Sequence, residues 1–98
     1  MDPTTDSQPE EKQLTPEPLT KEEFVVLWTI DYLEYRTPQE VTKTNDMDLE
    51  NTTLIFMKLE DIGLIKFEIK NKQIQPATTT ILGQEVLKEE QYYDYVPE

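Results

Sequence analysis

Between Met57 and Phe67 the chain reads MKLEDIGLIKF, and this stretch restricts the fold more than any other. The spacing predicts a helix that stops at Gly63, because glycine adopts the left-handed conformation that closes a helix. Leu64 can then fold back onto the last turn. Beyond it the pattern changes period. Ile65, Phe67 and Ile69 fall on one face, while Lys66, Glu68 and Lys70 fall on the other, as in a half-buried strand. Asn71-Lys72 provides a tight turn, weaker than Asn-Gly. QIQPATTTI returns as a second strand that Pro76 restricts to an edge or a bulge.

The other helices announce themselves by their starts. Thr20 with Glu23 matches a capping box, in which hydroxyl and carboxylate satisfy each other's free helix-end N–H groups. Leu19 is placed to staple onto the first turn. The helix runs to about Tyr35 and is apolar on more than one side, through Val25, Val26, Ile30 and Leu33 as well as Phe24, Leu27, Trp28 and Tyr32. Such a helix is either central to its domain or partly covered by a partner. Its excess predicts a homodimer contact through residues 21–35.

Thr37, Pro38 and Glu40 repeat the start signal for a short second helix. Asp48 caps a third, LENTTLIFMKLEDI, over residues 49–62. Thr80 caps a last one, ILGQEVLKEEQYY, with Gly83 a mild penalty inside it. The predicted class is α+β, mainly α, in the order α-α-α-β-β-α.

Charge divides the chain further. The formal net charge is −12 over 98 residues. Residues 1–18 hold five acids, one lysine and four of the seven prolines, and almost no large apolar side chains beyond Leu14. They read as a disordered lead-in. Residues 19–91 form the folded domain, and 92–98 an acidic tail with Tyr92, Tyr93 and Tyr95. In that tail one or two tyrosines pack on the first helix, or the acidic-aromatic segment mimics nucleic acid.

Composition excludes several chemistries. With no Cys and no His, and with Ser7 the one serine, nucleophilic catalysis lacks its parts. Asp46, Asp48 and Glu50 alternate as in a calcium loop, but Asn51 stands at the glycine position and Met57 at that of the closing glutamate. No glycine loop cradles phosphate. The expectation is therefore no enzyme, no cofactor and no metal. The absence of a signal-peptide pattern or a membrane-length apolar run makes the default location cytoplasmic, with no membrane partner.

The order of elements and LEDIGLI, Leu59 to Ile65, resemble the winged helix-turn-helix domain of small MarR- and PadR-type regulators. TILGQEVL, Thr80 to Leu87, is similar to the segment after that family's wing, although Thr79 stands where leucine is usual. QIQPATTT replaces the basic residues usual after the wing turn. The resemblance implies a helix-turn-helix over residues 36–60, with 49–62 as the recognition helix for the DNA major groove and 65–80 as the wing.

On that helix Thr52, Ile55, Phe56, Leu59 and Ile62 are expected to face inward. Glu50, Asn51, Leu54, Met57, Lys58 and Asp61 face outward. Asn51, Thr53 and Lys58 are groove donors, and Lys66, Lys70 and Lys72 can meet phosphate, although edge-strand lysines also serve simply to discourage aggregation. Leu54, Met57 and Asp61 are instead suited to protein contact, unless the helical phase is off by one residue and Leu54 belongs to the core.

Three functions follow. The first is a non-catalytic winged-helix regulator of transcription or another nucleic-acid process, acting mainly through protein partners. The second is a DNA-binding transcriptional regulator that uses the 49–62 helix and the wing. The third is an acidic inhibitor of a DNA-binding protein. Net charge disfavours DNA, because binding to it rests on cations that displace counterions.

Overall fold

In the computed structural model, which describes residues 18–97, each helix begins where its capping residue predicts. Helix α1 is Lys21–Trp28 and continues into a π-helical turn, Thr29–Leu33. The Thr20 hydroxyl accepts from the Glu23 amide while Glu23 Oε1 accepts from the Thr20 amide, at 3.2 and 3.0 Å. Helix α2 is Pro38–Asn45. Its start departs slightly from a capping box: Glu40 Oε1 accepts from the Arg36 amide, one residue before the expected cap nitrogen. Helix α3 is Leu49–Asp61, with the Asn51 amide donating to the Asp48 carboxylate at 2.6 Å. The disordered lead-in expected over residues 1–18 lies outside the described residues, apart from Pro18.

The junction after α3 is a Schellman closure. Gly63 has φ +86°, its amide donates to the Glu60 carbonyl at 3.1 Å, and the Leu64 amide donates to the Leu59 carbonyl at 2.9 Å. This pattern satisfies carbonyls that the helix end would otherwise leave free. The chain then enters the wing. Strand β1, Ile65–Lys66, pairs antiparallel with β4, Thr78–Thr79, matching Ile65 to Thr79. Strand β2, Ile69–Lys70, pairs with β3, Gln73–Ile74, matching Ile69 to Ile74.

Each of the two expected strands is thus broken in two. Pro76 lacks an N–H to continue the ladder, and the Ala77 amide donates instead to the Arg36 carbonyl at 2.8 Å. At the tip, Asn71 and Lys72 have φ of 52° and 63°, the two left-handed positions of a type I′ hairpin turn.

The core lies between α1, α3 and the base of the wing. Phe24, Val26, Leu27, Ile30, Val41, Phe56, Leu59 and Ile65 are all buried. Val26 and Ile30 were part of the apolar excess that predicted a self-contact through residues 21–35. They are used inside the domain, because α1 is its central helix; Tyr32, Leu33 and Tyr35 remain exposed at its end.

Helix α4 is Ile81–Leu87, shorter than the expected run to Tyr93. The chain turns at Lys88 and continues as a 3₁₀ segment, Glu90–Tyr95. Tyr92 stacks on Phe24, with ring centroids 4.9 Å apart, and its hydroxyl accepts from the Leu19 amide at 2.8 Å. Tyr95 meets Phe24 edge-on. The packed body therefore extends past residue 91 into the segment expected to be a tail, because Tyr92 is a core residue. Among the described residues no helix is long and apolar enough to cross a membrane.

Candidate nucleic-acid and protein interface

Helix α3 carries most of the residues expected to make contacts. Its inner face holds Thr52, Ile55, Phe56 and Leu59, all buried, so the helical phase read from the sequence is right and Leu54 is not core. The outer ridge runs Glu50, Leu54, Met57, Asp61, at spacings of four, three and four residues that keep one face of a helix in line. Leu54 is 59% exposed and Met57 48%. Asn51 and Thr53 flank the ridge and are half-buried.

Lys58 has a different occupation from the expected groove donor. Its ammonium contacts Glu23 Oε2 at 2.8 Å, tying α3 to the first turn of α1. Burial would raise the Glu23 carboxyl, but hydrogen bonds from Lys58 and from the Thr20 amide and hydroxyl, with the lysine's charge, hold it below its ordinary value. A lysine so engaged has less of its charge to give to a phosphate.

The wing is the other source of cations at this surface. Lys66, Lys70 and Lys72 are exposed, and Lys70 has a loose contact of 3.8 Å with Glu68. The strand alternation holds only near the body. Ile65 is buried, Phe67 is half-buried, and Ile69 is 57% exposed. Ile69, nearer the turn, stands mostly clear of the core, although its cross-strand partner Ile74 is partly buried against that core. Sequence reasoning placed Ile69 on the inward face. The turn at Asn71-Lys72, only two residues away, was the available sign that it would stand clear.

Phe67 and Ile69 instead line a groove of about 610 Å³ between the second half of α3 and the wing, with Met57, Lys58, Glu60 and Asp61 completing it. Phe67 is held by Phe56, ring centroids 6.4 Å apart. Phe67, Ile69 and Glu60 were not among the expected site residues. The structure brings Met57 and Asp61 together with them.

Charge is segregated along the sequence. Residues 36–72, which build α2, α3 and most of the wing, hold seven acids and six bases. The remaining residues therefore carry nearly all of the −12.

No family model matches the sequence, and no curated protein matches it. Among solved structures, the fold is similar to that of a MarR family protein of Mycobacterium tuberculosis, crystallised in complex with p-aminosalicylic acid. The TM-score is 0.60 at 27% identity, over 83% of this chain and 63% of that one. The domain is a MarR-like winged helix. In it α2 and α3 form the helix-turn-helix, and residues 65–79 form the wing. The chain spans less than two thirds of the MarR family protein it matches.

Proposed function

We propose that the protein is a non-catalytic regulator of transcription that meets duplex DNA through the wing and the flank of α3. The observation carrying this reading is the wing itself, where Lys66, Lys70 and Lys72 are exposed beside the nearly neutral helix-turn-helix half. The likeness to a MarR family protein supports the same assignment. In this arrangement Lys66, Lys70 and Lys72 contact phosphate, while Asn51 and Thr53 reach the groove edge.

Binding of this kind is weak and salt-sensitive. If the three wing lysines are the main contacts, the logarithm of affinity falls with the logarithm of salt at a slope of about −2 to −3. Titration of a random-sequence duplex at low salt and then at rising salt is the test. No binding at low salt, or binding unaffected by alanine at all three wing lysines, would sink the assignment.

A second reading, action through protein partners, is favoured by a separate observation. The outermost ridge of α3 has an acid at each end and exposed Leu54 and Met57 between them. Acids repel phosphate, and an apolar pair offers no hydrogen bonds to base edges.

A further inference from the structure

We propose that the groove between α3 and the wing is a docking site for a basic, amphipathic protein segment. This inference rests on the second reading above and names the chemistry of the occupant. The floor and near wall are apolar: Met57, Phe67 and Ile69 line the groove, and Leu54 continues it along the ridge, one turn before Met57. A surface of this kind holds apolar side chains presented at helical spacing, as in helix-in-groove recognition.

The rim selects charge. Glu60 and Asp61 border the groove and are exposed, while the lysine beside them, Lys58, is already paired with Glu23 at 2.8 Å. Glu50 closes the far end of the ridge. The lining therefore presents two acids and one lysine, that lysine already paired with Glu23, around an apolar floor. Its complement is a segment with apolar anchors flanked by lysine or arginine. An acidic segment, or a neutral one of the same shape, lacks that complement. Polyphosphate backbones meet the same repulsion at the ridge, which leaves DNA to the wing and to Asn51 and Thr53 on the flank of α3.

The site can be probed with the full chain and a synthetic helical peptide whose leucines recur at i, i+4 and i+7 among lysines and arginines. A scrambled peptide of identical composition controls for simple attraction to an acidic protein. The expected result is tighter binding of the patterned peptide, with backbone amide NMR shifts concentrated at Leu54, Met57, Phe67 and Ile69. Leu54→Lys and Met57→Lys should each weaken it about tenfold or more, as loss of a central anchor does, in chains whose spectra show an intact fold.

Several results would overturn the proposal. The two peptides could bind equally, or the shifts could spread over the acidic termini. The same residues could shift with protein concentration alone, marking a second copy as the occupant. Random duplex DNA could shift the Leu54 and Met57 amides, which would give the α3 ridge to DNA. If the proposal fails while wing lysines still respond to DNA, the regulatory assignment stands without it. Loss of DNA binding alone leaves the groove unaffected.

Discussion

A methyl group on Gly83 would overlap the Leu64 carbonyl oxygen and stand 2.8 Å from Thr79 Cγ2. In the sequence this glycine is only a mild penalty within a helix; in the fold it lets α4 lie against the α3–wing junction. Gly83→Ala is therefore expected to destabilise the domain by about 2 kcal/mol, as overpacking does, although alanine is the better helix former. Urea denaturation would measure it, and a stabilised mutant would refute the packing account.

Glu23 gives a pH prediction at the same scale. Folding lowers its pKa, so its contribution is complete above the unfolded value near 4.5 and is lost as pH falls through the lower folded value. Glu23→Gln should lose stability at neutral pH and flatten the acid limb of the stability curve. Thermal melts of both chains from neutral pH downward would check this.

The wing is the element whose sequence serves two purposes that conflict. Lys72→Gly removes a left-handed lysine and is expected to stabilise the hairpin by about 1 kcal/mol, while weakening DNA binding by removing a tip cation. A melt and a salt titration on the same variant would show opposite signs. Helix α3 provides the complementary expectation. Leu54→Lys and Met57→Lys should change stability by no more than about 0.5 kcal/mol, because both side chains are exposed. A larger loss in the urea midpoint would show that they support the fold. The ends of α3 were legible because Asp48 and Gly63 have local reasons to sit there. The end of α4 was not, because Tyr92 is pulled from the helix by Phe24, sixty-eight residues earlier.

At the scale of the whole molecule, Tyr92 closes the structure. It joins the C-terminal segment to both the start and the side of α1. Tyr92→Phe keeps the stacked ring and is expected to cost about 1 kcal/mol for the Leu19 amide left without its acceptor. Tyr92→Ala should cost about 3 kcal/mol or more, which a domain of this size can barely absorb. Comparing the two by chemical denaturation separates hydroxyl from ring. Charge divides along the sequence, with residues 36–72 nearly neutral and the excess of acid before and after them.

By itself the sequence determined the start of every helix, the inward and outward faces of α3, the glycine closure and the hairpin turn. All of these rest on interactions within a few residues, or on a period that one buried face imposes. Tertiary structure decided the rest. It buried Val26 and Ile30 within the domain, drew Lys58 to Glu23, carried Ile69 out beyond the core and brought it beside Met57 to form a groove. Those outcomes depend on which elements meet and where the body ends. MKLEDIGLIKF specifies the junction of α3 and the wing, but the groove between them exists only once the hairpin and α3 are brought together.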